Sequence, residues 1–155
     1  MFFRNTIEKL EKSYKKIQLF IDMDGVIADY VVGEARDYDK KRPLLTTIKQ
    51  LEEISAKNNI ELNILSISRM DEGVEQKNIW LDKYVPFIDK NHRYIIPRES
   101  NNMERSYKLK CKFVRDIKRE PNSIIVVIDD DCDIVHRLKD ENSDIVILKD
   151  TVFVD

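Results

Sequence analysis

Ile17-Gln18-Leu19-Phe20-Ile21-Asp22-Met23-Asp24-Gly25-Val26 is the stretch on which the fold turns. It begins with an apolar run (Ile17, Leu19, Phe20, Ile21), short, rich in branched and aromatic residues, and a glycine stops it soon after. That is the pattern of a buried strand. Side chains alternate along a strand, so Asp22 and Asp24 leave its end toward the same side. Two carboxylates so close repel each other and resist desolvation unless a cation or a proton sits between them. The pair reads as a site rather than as scaffold.

Working outward, residues 5–16 show Ile7, Leu10 and Tyr14 at helical spacing among Glu and Lys, which predicts a helix packed beside the first strand. The alternative for this end is a homodimer contact through Phe2 and Phe3. On the other side, Tyr30 to Lys41 holds Gly33 and the acidic Glu34, Asp37 and Asp39, with Asp29 just before it, and reads as a short flap over 30–41 with no core of its own. Pro43 opens a helix with Leu44, Ile48, Leu51 and Ile54 on one face. Residues 60–67 form a second strand ending at Ser66 or Ser68. Asp71 is the expected N-cap of a helix from Glu72 to about Tyr84, with Val74, Trp80 or Leu81, and Tyr84 inward. Residues 93–96 predict a short third strand, and a helix is expected from about Arg105 to Arg119. Ile124 to Ile128 is an unbroken apolar run, the clearest buried strand of the chain, and ends in Asp129-Asp130-Asp131. A helix from Cys132 to about Lys139 and a fifth strand over 144–148 follow; residues 151–155 are too short to assign.

Strands alternating with helices predict an α/β fold, three-layered and Rossmann-like, with a parallel sheet of about five strands and helices on both faces. The whole of 1–155 reads as one domain. In such folds ligands bind beyond the carboxyl ends of the strands, where strand order reverses. Asp22, Ser66 and Asp130 all fall at such ends.

A net charge of −2 on 155 residues lacks the basic footprint of a dedicated nucleic-acid binder. Two cysteines, Cys111 and Cys132, make neither a disulfide framework nor a zinc signature. No run approaches a membrane span, and the N-terminal residues carry no apolar core of signal-peptide length. These features lead to the expectation of a cytoplasmic protein. His92 and His136 are lone histidines and read as surface residues.

Asp22-Met23-Asp24-Gly25-Val26, closing with Asp29, resembles the first motif of the haloacid dehalogenase-like (HAD) phosphohydrolases, most closely its 5′-(3′)-deoxyribonucleotidase branch. The family's later motifs have counterparts in order. Ser66, with Ser68 as second choice, stands at the second strand. Lys110 stands at the start of a helix in Lys110-Cys111-Lys112-Phe113-Val114, with Lys108 and Lys112 as near alternatives. Asp129 and Asp130 form the acidic pair after an apolar strand.

The resemblance implies a Mg²⁺-dependent phosphatase. Asp22 would attack phosphorus to give an aspartyl-phosphate, splitting one hard step in two. Asp24 would protonate the leaving oxygen and then activate water. Asp22, the backbone carbonyl of Asp24 and Asp130 would hold the ion, with Asp129 replacing or supporting Asp130. Lys110 would offset negative charge, and Ser66 would donate to a phosphate oxygen. The expected substrate is a small phosphomonoester, a 5′-nucleotide being the leading example. The short 30–41 segment stands where the deoxyribonucleotidases carry a helical cap, so a minimal cap and an open site are expected. Leu65-Ser66-Ile67-Ser68-Arg69 also departs from their Thr-Ser-Pro pattern. Two alternatives stand beside this reading: a phosphatase for nucleic-acid ends or phosphoproteins, drawing on the basic stretch 105–119, and a non-catalytic phosphate- or metal-binding module pairing through its N-terminal helix.

Overall fold

A computed structural model describes residues 2–30 and 37–154. Five parallel strands run in the order β3-β2-β1-β4-β5. They are β1 (Lys16–Ile21), β2 (Ile60–Ser68), β3 (Arg93–Pro97), β4 (Ser123–Asp129) and β5 (Val146–Lys149). The helices are α1 (Phe2–Ser13), α2 (Leu45–Ser55), α3 (Glu72–Tyr84), α4 (Ser106–Asp116) and α5 (Cys132–Glu141). The α/β architecture read from the sequence is the one observed.

Alternation on the strands sorts the core into two layers. Ile17, Leu19 and Ile21 of β1, with Ile64 of β2 and Val126 of β4, pack with residues of α1, α2 and α3. Phe20, Leu65, Ile125 and Val127 face the other way, onto Cys111 and Val114 of α4 and Ile134, Val135 and Leu138 of α5. Each buried Ile or Leu side chain stabilises by about 1.5–3 kcal/mol, which outweighs a backbone ordering cost of about 1–2 kcal/mol per residue. The apolar run therefore specifies a strand, which gives way to a turn after Asp22 while Met23, Val26 and Ile27 stay in the core.

Register places the strand ends together. Ile21 lies opposite Ile64 of β2 on one side and Ile128 of β4 on the other. Strand order reverses between β1 and β4, so Asp22 and Asp129 flank the switch point where open α/β sheets bind ligands.

Several local expectations change. The first helix ends at Ser13, because Tyr14 to Lys16 lead into β1. The helix expected to reach Arg119 stops at Asp116: Ile117 is extended, and Arg119 turns back to donate to the carbonyls of Val114 and Ile117. The fifth strand begins at Val146 rather than Asp144. Asp71 stands at the N-cap position of α3 as expected, but its side chain makes no capping hydrogen bond. Its backbone is helical, and its carboxylate accepts from Ser100 instead. The tail left unassigned is a 3₁₀ turn, Asp150–Phe153, that buries Val152 and Phe153. Phe3 packs on Phe153 with ring centroids 4.5 Å apart, which removes it from any dimer contact and leaves only Phe2 of that pair exposed. No described helix is long and apolar enough to cross a membrane.

The flap also differs. Gly33 and Glu34 lie outside the described residues. The part from Asp37 onward contains the 3₁₀ turn Tyr38–Lys40, and Tyr38 and Lys41 are both buried. Tyr38 meets Trp80 of α3 edge-on at 6.0 Å, and the Trp80 indole donates to the Lys41 carbonyl at 2.9 Å. This end of the segment is thus tied into the core.

Candidate metal and phosphate site

Leaving β1, the chain turns at once. Val26, Ile27 and Ala28 return to the Met23 carbonyl, and the Gly25 amide donates to Ala28. Gly25 sits at φ +78°, where a side chain is strained. A Cβ there would lie 2.1 Å from Oδ2 of Asp130, so the missing side chain is also the room that Asp130 occupies.

The carboxylates of Asp22, Asp129 and Asp130 each offer an oxygen within 4.8 Å of the others. Asp22 and Asp129 are buried; Asp130 is half-buried. Lys110 on α4 reaches both buried acids, 2.9 Å from Asp22 Oδ1 and 2.5 Å from Asp129 Oδ2. The other Asp129 oxygen accepts from the Asp131 amide at 2.9 Å. Asp129 is therefore engaged at both oxygens, whereas Asp130 has no ion-pair partner among the described residues. Asp131 caps α5, accepting from the amides of Asp133 and Ile134.

Charge follows burial. Desolvation pushes the Asp22 carboxyl up to about 6 against the attraction of Lys110, and the Asp129 charge adds to the rise. Asp130 is also pushed up to about 6, by burial and then by the charges of Asp22 and Asp129. Burial works against the Lys110 ammonium, but the two aspartates outweigh it and hold its proton above the usual lysine range. One ammonium thus serves two buried acids, with Asp130 beside them. This donor set fits a small hard cation, which takes carboxylate oxygens, and Asp130 is the acid with an oxygen to give.

Asp24, two residues from Asp22, stands in a different setting. Lys41 donates to its Oδ1 at 2.5 Å and Lys77 of α3 to its Oδ2 at 2.8 Å. Burial alone would raise Asp24, yet Lys77 and Lys41 hold it below the usual carboxylate range. Lys77 gives its other two donors to Ser66 Oγ, at 2.7 Å, and to the Ile67 carbonyl, at 2.9 Å. All three of its N–H bonds are therefore used.

The aspartates line a cavity of about 320 Å³ together with Tyr30, Ile67, Ser106, Lys110, Asp131 and Ile134. The structure brings Asp22, Asp24, Lys110, Asp129 and Asp130 to this one cavity. It does not bring Ser66 or Ser68 there. Ser66 is wholly buried on the α3 side and meets the site only through Lys77, while Ser68 Oγ donates to the Met70 carbonyl at 2.7 Å. The hydroxyl of α4 in the cavity wall belongs to Ser106. Among the lysines considered for the site, Lys110 is buried on the sheet side, whereas the exposed Lys108 and Lys112 pair with Glu104 and Asp116 of their own segment.

Sequence reasoning missed Lys41, Lys77 and Ser106. For Lys77 a signal existed: it lies on the α3 stripe of Val74, Leu81 and Tyr84, an inward position where a lysine needs a reason. Lys41 and Ser106 gave none, standing in or beside loops without periodicity. Compared with models of known families and with curated proteins, the chain matches neither.

Proposed function

We propose that the protein is a Mg²⁺-dependent phosphohydrolase of the HAD type, acting on a small phosphomonoester. The observation that supports this reading most is the placing of Asp22: a buried strand-end carboxylate at a switch point, bonded to Lys110 on one side and facing two further acids on the other. The five carboxylates Asp22, Asp24, Asp129, Asp130 and Asp131 outnumber the ammonium groups of Lys41, Lys77 and Lys110 by two, and a divalent ion would bring the site to neutrality, so that a phosphate meets no net repulsion there. Bound by Asp22 and Asp130, Mg²⁺ would neutralise phosphate oxygens and align the ester for attack.

In this reading Asp22 Oδ attacks phosphorus as the ester P–O bond breaks, forming an aspartyl-phosphate, and the leaving oxygen takes a proton from solvent water. Water then attacks phosphorus, releasing inorganic phosphate and restoring Asp22. Lys110 steadies the charge on Asp22 and on the phosphoryl group, and Ser106 donates to a phosphate oxygen in the role first given to Ser66. Asp24, kept ionised by Lys41 and Lys77, suits taking a proton from the attacking water better than giving one to the leaving oxygen. The organic part of the substrate would extend past Tyr30, exposed at the mouth, where a nucleobase can stack. Lys108, Lys112 and Arg119 each pair with an acid and Lys110 is buried, which leaves Arg105, Arg115 and Lys118 as the exposed cations of the basic stretch without an ion pair among the described residues, and a free nucleotide is the favoured class.

The test is p-nitrophenyl phosphate and nucleotide turnover with Mg²⁺, with EDTA, and in Asp22→Asn. Turnover should need the ion and fall by about 10⁴-fold or more in the variant. Wild-type inactivity across a phosphoester panel, or a variant as active as wild type, would refute the assignment. Mg²⁺ binding without turnover would select the non-catalytic module.

A further inference from the structure

Tyr38, at the start of the 3₁₀ turn Tyr38–Lys40, is 3% exposed, yet its hydroxyl has no hydrogen-bond partner among the described residues. A buried polar atom without a partner is costly and uncommon in folded proteins. Burial, and after it the charges of Asp24 and Asp22, hold the phenol proton above the usual tyrosine range, so the group is no general acid. What this position gives the site must come from its ring.

The ring face meets two ammonium groups. Lys41 Nζ lies 4.7 Å and Lys77 Nζ 5.0 Å from its centroid, both within the reach of a cation–π contact. These are the two lysines that hold Asp24. Trp80 meets the ring edge-on at 6.0 Å and its indole bonds the Lys41 carbonyl, so α3 fixes both the ring and the start of the lysine. Lys41 is only 6% exposed, and among the described residues its ammonium donates to Asp24 alone. Besides that carboxylate it faces the Tyr38 ring and, at 5.5 Å, the ring of the exposed Tyr30. A buried ammonium with a single acceptor depends on whatever else offers it negative charge.

In the phosphatase cycle Asp24 takes a proton from the water that attacks the aspartyl-phosphate. The water oxygen bonds to phosphorus, the P–O bond to Asp22 breaks and returns its electron pair to Asp22, and the proton goes to Asp24. Asp24 is then neutral, and Lys41 and Lys77 lose the charge that held them. Lys77 keeps Ser66 Oγ and the Ile67 carbonyl, whereas Lys41 keeps no charged acceptor among the described residues. The π face of Tyr38 carries partial negative charge that no proton can neutralise. Resting on the proposed function, we propose that Tyr38 is a positioning residue: its ring face holds the ammonium groups of Lys41 and Lys77 in place while Asp24 accepts the proton, and so speeds hydrolysis of the intermediate.

The test replaces Tyr38 in the full chain by phenylalanine and by pentafluorophenylalanine, which keeps the shape of the ring and reverses the sign of the charge on its face. With p-nitrophenyl phosphate and Mg²⁺, rapid quench separates the two steps. Relative to Tyr38→Phe, the fluorinated ring should slow hydrolysis of the aspartyl-phosphate by about tenfold and leave the first release of nitrophenol unchanged. Its urea midpoint, which needs no turnover, should also lie below that of Tyr38→Phe. Equal hydrolysis rates in the two variants, a slowing of both steps alike, or a midpoint no lower for the fluorinated ring would overturn this role and leave the phosphatase reading standing. A wild type without phosphoester turnover would overturn that reading, and this role with it.

Discussion

Asp22 and Asp24 are the same residue type, two positions apart at the end of one strand, yet they live in opposite electrostatic surroundings. Around Asp22, one ammonium is shared by Asp22 and Asp129, with Asp130 beside them, so negative charge is in excess. Around Asp24, two ammonium groups converge on one carboxylate. Burial wins at the first and pushes it up to about 6; the lysines win at the second and hold it down. The first cluster is short of positive charge, and the second is already complete. What separates them is the number of lysines the fold delivers.

Substitutions that alter that number test the contrast. Lys110→Met leaves Asp22 and Asp129 buried without a counter-charge, and should cost about 3–5 kcal/mol in urea unfolding. It should abolish any phosphatase activity as well. Lys77→Met should cost less, about 1–3 kcal/mol, because Lys41 still holds Asp24 through Oδ1, while Asp24 Oδ2, Ser66 and the Ile67 carbonyl each lose a donor. Equal losses in the two variants would remove the distinction between a deficient and a complete cluster.

Gly25→Ala sharpens the comparison from the side of Asp130. The left-handed backbone alone should cost about 1–2 kcal/mol. On the proposed function Mg²⁺ should raise the melting temperature of the wild type, and displacing Asp130 should cancel that rise. A variant that still gains stability from Mg²⁺ would show that Asp130 is not a ligand.

The smallest effect concerns pH. Asp22 and Asp130 titrate near 6 in the fold, above about 3.9 for an unfolded aspartate. Without metal their contribution to stability is present below about pH 4 and is lost as pH rises through 6. Mg²⁺ competes with those protons, so its stabilisation should grow over the same range. Melting curves in EDTA and in Mg²⁺ should draw apart from pH 5 to pH 7, by about 2–4 °C for each kcal/mol of binding.

The architecture was legible because it rests on local pattern. The runs at 17–21 and 124–128 are apolar for the same reason that they are central strands, and both are followed by the acids that define the site. Lys110 could be placed by motif but separated from Lys108 and Lys112 only by burial, since three lysines at alternate positions look alike until one helix face is known to meet the sheet. Ser66 was misread for a similar reason. A hydroxyl at a strand end points to one face or the other, and here it points to α3, where Lys77 takes it. The pairing of Asp24 with Lys41 and Lys77 joins residues far apart in the chain, and no short-range rule signals it. The 30–41 segment was underestimated because Tyr38 and Lys41 find their partners on α3 and at Asp24 rather than within the segment.

The strand order carries one more consequence. β1 lies between β2, which follows it closely, and β4, which is made in the last third of the chain. As the polypeptide leaves the ribosome, β1, β2 and β3 can pair while β4 is still unmade. Asp24 can then meet Lys41 and Lys77 early, but Asp22 must wait for Lys110, Asp129 and Asp130. Assembly of the acidic centre is thus a late event of biogenesis, and a nascent chain arrested before β4 would carry the β1 carboxylates without the partners that make an ion worth binding.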